Sequence, residues 1–210
     1  MGYKMQRQLA EDLAYHVWIQ CNNKEFRFQN EADFLLYLSI IKEVKEKHNF
    51  LLYDYGLMHT HVHLFLRTPG PSLLDTIMWH INRTFSVRYN KRNGRCGHIW
   101  MGPYKASVVD NDQYGISLLR YLPQNAPQAG IVQHPDQWKW CGYRFYAYGE
   151  PNELLTPAPT YLELADRPEV RQKFYRHLVS TLVPKALSEE EKWLLTKLKR
   201  WQIAVPPPTR

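Results

Sequence analysis

The sequence predicts an α+β protein: a four-stranded antiparallel sheet with helices on one face and a helical C-terminal extension. Three observations carry this. Short β-rich runs alternate with two long amphipathic stretches over residues 15–122. Those stretches are too widely spaced, and the strands too short, for an all-helical or all-β chain. Beyond about residue 150 the β-rich runs stop, after the break "PNELLTPAP".

"YHVWIQCN" (15–22) alternates and is rich in β-formers, so it reads as the first strand. "NEADFLLYLSIIKEVKEKH" (30–48) reads as a helix capped by Asn30, with Glu31 and Asp33 in its first turn. Phe34, Leu38, Ile41 and Val44 repeat at helical spacing, with Lys45 flanking them. "FLLYDYGLM" (50–58) and "HVHLFLRT" (61–68) read as two strands joined around His59-Thr60. A second helix follows in "PGPSLLDTIMWHINRTFSVRYNKR", opened by a Ser72-x-x-Asp75 cap and turning Leu74, Ile77, Met78, Ile81 and Phe85 inward. After the basic loop "NGRCG", "YKASVVD" (104–110) is the fourth strand, and "DQYGISLLRYL" (112–122) is a helix that runs up to Pro123. The first six elements, β-α-β-β-α-β, match a ferredoxin-like or RRM-like arrangement, which leaves the sheet's second face to carry function. Two further helices are expected at about 160–182 and 188–203, so the chain divides into residues 1–149 and 150–210.

Composition narrows the function classes. Of the 210 residues 44% are apolar and 22% charged, as in an ordinary globular protein. The run "FLLYLSII" is too short to span a bilayer, and the N-terminal stretch lacks the apolar core of a signal peptide. Cys21, Cys96 and Cys141 have no CxxC spacing. A cytoplasmic protein with reduced thiols and no membrane association is expected. The net charge is +7, and residues 59–110 alone hold +5 of it. A concentrated positive field of this kind suits a polyanion such as nucleic acid.

That basic block begins with three histidines at alternate positions, His59, His61 and His63. On a strand, His61 and His63 project to one face while Val62, Leu64 and Leu66 project to the other. Imidazoles about 7 Å apart along a strand can lean together onto one ion. His59 has the same parity but stands at the strand's start, where it reads equally as a loop residue. On the helix that follows the fourth strand, Ser117, Tyr121 and Asn125 share a face, while Leu118 and Leu122 face the core. A phenol there can attack phosphorus only with a metal and positive charge nearby. As an ordinary amphipathic helix, the same segment would simply pack Tyr121.

These blocks, "HVHLFL", "INRTFSVRYNKRNGRCGHIWMGPYKASVVDN", "YLPQNAPQAGIV" and "HPDQWKWCGYRFY", stand in an order and spacing that resembles the REP-associated tyrosine transposases. That group belongs to the single-tyrosine HUH transposase superfamily, and the likeness covers about residues 13–149. It implies a metal-dependent endonuclease and strand transferase acting on hairpin-bearing single-stranded DNA, as a monomer or homodimer. Carried over, His61 and His63 are metal ligands for Mg²⁺ or Mn²⁺, Tyr121 is the nucleophile and Asn125 the third ligand. The implied intermediate is a 5′-phosphotyrosine, which stores the bond energy, so no nucleotide cofactor is needed.

Two departures bear on the third ligand. The family's Asn-Pro is here Asn125-Ala126-Pro127, and Pro123 falls between nucleophile and ligand, so Gln124 stays open as the alternative. Arg67, Arg83, Arg88, Arg92 and Lys105 are the candidates for phosphate contacts. Trp100 and Tyr104 are candidates for stacking on unpaired bases, and Trp138 and Trp140 read as packing. A non-cleaving relative that grips DNA or RNA hairpins is the second reading, and a histidine-rich metal hydrolase the third.

Overall fold

The computed structural model describes residues 12–69 and 71–180, so the helix expected at 188–203 lies outside the described residues. The elements are β1 (Ala14–Gln20), α1 (Glu31–His48), β2 (Leu51–Leu57), β3 (His61–Arg67), α2 (Pro71–Arg92) and β4 (Lys105–Val109). They continue with α3 (Asp112–Gln128), α4 (Tyr143–Tyr148), α5 (Pro159–Leu162) and α6 (Pro168–Ser180). They pack as two compact units. One runs to Asp110 and includes Leu154–Thr156; the other takes Asn111–Glu153 and the chain from Pro157. The 149/150 boundary expected from the linker-like break falls inside the second unit, just after α4.

In the first unit the strands form one antiparallel sheet in the order β2-β3-β1-β4, the ferredoxin-like order. β1 is central: Val17 opposes Leu64 of β3 and Ala106 of β4. Parity then sorts the strands into two faces. Tyr15, Val17 and Ile19 share one face with Val62, Leu64 and Leu66, and all six are buried. Their core is completed by Phe34, Tyr37, Ile40, Ile41 and Val44 of α1 and by Leu74, Ile77, Met78, Ile81 and Phe85 of α2. The buried stripe of α1 is rotated slightly from the expected one, since Tyr37 and Ile40 are fully buried and Leu38 only half-buried.

Asn30 caps α1 as its sequence predicts. Its side chain accepts from Asp33 N at 3.2 Å, and the Asp33 carboxylate accepts from Asn30 N at 3.1 Å. The same buried carboxylate pairs with Arg92 of α2, so one residue closes the helix start and ties the two helices together. α2 starts at Pro71, ahead of the expected Ser72 cap, in keeping with proline's preference for a first helical turn. Asp75 accepts the hydroxyl of Tyr104.

The second unit is cemented by tyrosines. Tyr146 lies 4.7 Å from Tyr161 and 5.4 Å from Tyr175, ring centre to ring centre. Tyr161 Oη donates to Tyr146 O at 2.9 Å. Gly115 lets α3 approach α5 closely, because a Cβ there would stand 2.9 Å from Thr160 Cγ2. The helix expected over 160–182 is in fact two, and Pro168 starts the second.

The largest departure from expectation is the length of α3, which passes Pro123 and Pro127 and ends at Gln128. Pro123 has no N–H for the carbonyl of Leu119, four residues back. Tyr175 of α6 supplies the missing donor: its hydroxyl reaches Leu119 O at 2.8 Å. The deficit created by the proline is thus met from a neighbouring helix, and the helical path continues. Tyr175→Phe leaves that buried carbonyl without its donor, so it should cost about 1–3 kcal/mol in a urea melt. A change below a few tenths would show that the bond carries no stability.

Candidate functional site

The sheet's second face carries the histidines. His61 and His63 of β3 share it with Trp18, which opposes His63, and Gln20, which opposes His61. The face is not open, as the sequence had suggested: His16, Trp18, His63 and Phe65 are all buried. Its side chains cover one another in part. Tyr53 stands edge-on to Phe65 at 5.1 Å, and the Lys105 ammonium lies 5.1 Å over the Trp18 ring.

The rings of His61 and His63 are perpendicular with centres 5.1 Å apart. Thr60 Oγ1 is 3.0 Å from His61 Nδ1, and His16 Nε2 is 3.0 Å from His63 Nδ1. With each Nδ1 engaged, bonding to an ion falls to Nε2 of both rings. Burial lowers the pKa of His61 to about 4 and that of His63 well below the usual imidazole value. Near neutral pH both are therefore uncharged, the state in which imidazole ligates a metal. His59 has a different part. Its Nδ1 bonds Phe28 O at 2.5 Å and its ring stacks on Phe26, holding the segment after β1.

On α3, Tyr121 and Asn125 stand one turn apart on the same face. Tyr121 is half-buried, and burial raises its pKa to about 12. Asn125 is buried, and its Nδ2 donates back to Tyr121 O and Leu122 O at 3.3 and 3.1 Å. Its Oδ1 is therefore the atom suited to an ion. Gln124 turns towards α6 instead, where its Nε2 donates to Val179 O at 2.7 Å.

The basic candidates divide by partner. Arg67 holds the Asp12 carboxylate through two bonds of 2.8 and 2.5 Å, and Arg88 holds Glu43 through two of 2.6 and 2.8 Å. Arg92 is tied to Asp33 and to Ala32 O. Arg83 lies instead over the exposed ring of Trp79, 5.1 Å from its centre. Both line a groove of about 400 Å³ with Asn82, Trp100 and Tyr104. Trp100 donates to Asn82 O at 3.2 Å, while Tyr104 is buried with its hydroxyl spent on Asp75.

Sequence reasoning missed two residues here, His16 and Trp79. Each had a signal, a histidine inside an otherwise apolar strand and a tryptophan on the polar side of an amphipathic helix.

The family model described as IS200-like transposase matches residues 10–125, more than half of the chain, and spans all four strands and both α3 candidates. The chain belongs to the IS200-like transposase family. No curated protein is significantly similar in sequence. Among solved structures, the transposase resembles a REP-associated tyrosine transposase bound to a REP hairpin, with a TM-score of 0.61 at 14% identity. That likeness covers 75% of this chain and 93% of the other and shows a shared fold. A candidate transposase from Deinococcus radiodurans aligns at a TM-score of 0.41 and 17% identity, over 53% of this chain and 90% of that one. Among the described residues of this transposase no helix is long and apolar enough to cross a membrane.

Proposed function

We propose that this transposase nicks and rejoins single-stranded DNA beside a hairpin, with Tyr121 as nucleophile and a divalent ion held by His61, His63 and Asn125. The observation that carries the reading is the pair of neutral imidazoles on one sheet face, His63 buried and His61 half-buried, each with its Nδ1 engaged by a neighbour. Such a pair suits a borderline divalent ion and favours Mn²⁺ over Mg²⁺. Among the described residues no group of three or more His, Cys, Asp or Glu could hold a metal. A third protein ligand would then be neutral, and the Asn125 amide fits that role better than Gln124, whose side chain is tied to α6.

The ion, when bound, supplies Lewis-acid polarisation of the scissile phosphate. The chain's own part is to orient and to attack. Tyr121 Oη loses its proton and forms a bond to phosphorus. The bond from phosphorus to the 3′-oxygen breaks, leaving a 5′-phosphotyrosine and a free 3′-hydroxyl. Attack by a strand's 3′-hydroxyl reverses the step, so no external energy source is required. A phenol whose pKa is pushed up to about 12 is a weak nucleophile unaided, which is why positive charge nearby is required.

The hairpin as substrate is supported by the named partner of the structural relative and by the basic block of residues 59–110. Arg83, stacked on exposed Trp79, and Lys105 are the side chains best suited to the strand's phosphates, and Trp79 offers a face on which a base can stack. Arg83→Ala should weaken hairpin binding about 5–10-fold and lower the slope of log affinity against log salt by about one. Arg88→Ala, which breaks an ion pair between helices, should leave affinity within about 2-fold. Equal losses in the two variants would refute the division.

The direct test is incubation with hairpin-bearing single-stranded DNA and Mn²⁺, read on a denaturing gel. A slow covalent protein–DNA band that EDTA abolishes supports the proposal. Tight hairpin binding with no covalent band over several substrates and both metals would instead establish a non-cleaving hairpin binder.

A further inference from the structure

The two-histidine motif has a third imidazole behind it that the motif itself does not reveal. His16 stands on β1, diagonal to His63 across the β1–β3 pairing, because Trp18 opposes His63 and His16 opposes Phe65. Its Nε2 is 3.0 Å from His63 Nδ1, and the rings are stacked at 5.2 Å with 23° between their planes. Both rings are buried, so packing fixes their orientation.

Two ring nitrogens at hydrogen-bond distance share one proton, and its location sets what His63 can do. If His16 Nε2 carries it, His63 Nδ1 is the acceptor, and the neutral His63 ring bears its own proton on Nε2. That nitrogen then cannot bind a metal. If His63 Nδ1 carries the proton, His16 Nε2 is the acceptor and His63 Nε2 presents a lone pair. A neutral His16 ring has one such lone pair to offer, and the 3.0 Å separation places its Nε2 where that pair meets His63 Nδ1.

We propose that His16 is the positioning residue of the pair, accepting from His63 Nδ1–H and holding His63 in the tautomer whose Nε2 binds the ion. The role in metal binding rests on the reading of His61 and His63 given above; the tautomer does not. Thr60 Oγ1 plays the corresponding part for His61 Nδ1 at 3.0 Å, so each motif histidine has its own acceptor from the same unit. Partners of this kind fix ring orientation and raise ligand basicity, and their loss typically lowers metal affinity roughly 10–100-fold. A side chain needed only to fill space would require no nitrogen at this point.

The experiment has two arms. In the metal-free wild-type protein, ¹⁵N spectra of the histidines report which nitrogen of His63 is protonated, and Nδ1–H is expected. A proton on Nε2 overturns the proposal. In the second arm, Mn²⁺ affinity is measured by calorimetry for the wild type, His16→Gln and His16→Leu. Gln keeps an oxygen acceptor and should stay within about 3-fold of wild type, whereas Leu should lose roughly 10–100-fold. Hairpin binding without metal should be unchanged in both, a readout that general damage to the fold would move.

Wild-type Mn²⁺ affinity in His16→Leu overturns the proposal. So does equal loss in both variants, which would make His16 a ligand in its own right. Should the variants not fold, the wild-type spectrum decides. Failure of the wild type to bind Mn²⁺ sinks the metal reading itself, which the tautomer measurement distinguishes from a missing hydrogen bond.

Discussion

Tyr121→Phe should abolish the covalent protein–DNA band, a loss of at least about 1,000-fold, while hairpin affinity stays within about 2-fold. The substitution removes one oxygen and keeps the ring, so the half-buried side chain still fills its place in α3. A role confined to packing would therefore show almost no effect. The nucleophile's role predicts complete loss, because no second group replaces a missing attacking oxygen. Metal dependence sharpens the test. His61→Ala and Asn125→Ala should lower activity by weakening ion binding, so excess Mn²⁺ should recover part of it. Tyr121→Phe should stay silent at any Mn²⁺ concentration. A covalent band of wild-type intensity in Tyr121→Phe would place the nucleophile elsewhere and end the reading.

Acid should destabilise the metal-free protein well before its carboxylates titrate. The folded-state pKa of His16 is about 4 against an ordinary 6.5, and burial is the cause. Between those values the unfolded chain takes up a proton that the folded chain refuses, so stability falls as pH falls. The contribution is fully present above about pH 6.5 and fully lost below about pH 4. For His16 alone it amounts to about 3 kcal/mol. His63 adds to it in the same direction, as does His61, though with its ring less deeply buried its share is smaller. Urea midpoints in EDTA should thus report a loss of at least about 2 kcal/mol between pH 7 and pH 5. A flat profile across that window would mean the rings are hydrated, contrary to the packing described.

Much of the fold was legible because the sequence states its periodicities openly. The cap at Asn30, the inward residues of α2 and the alternation of His61 and His63 with Val62, Leu64 and Leu66 are local signals, and the structure reproduces each. What escaped notice depends on contacts between distant segments. Pro123 ends a helix by local rules, yet α3 continues because a hydroxyl 56 residues away is placed on the orphaned carbonyl. His16 looked like one more strand residue, since its meaning lies in the pairing of β1 with β3. Arg88 and Arg92 counted toward a basic patch by charge, but their partners Glu43 and Asp33 lie on another helix. The linker-like break near residue 150 marked a change of composition, and the boundary between the packed units lies earlier, after Asp110.

The bond from Tyr175 to Leu119 sets a limit on how the chain can be shortened. A truncation at the linker would retain every candidate ligand, the proposed nucleophile Tyr121 and all four strands. It would also strip α3 of the donor that makes good the proline's deficit, along with the carbonyl that secures Gln124. Tyr121 and its amide neighbour Asn125 would then sit on a helix free to bend between them. In an evolving lineage, residues 123 and 175 should therefore be inherited together, and a copy that sheds one should soon be released from keeping the other.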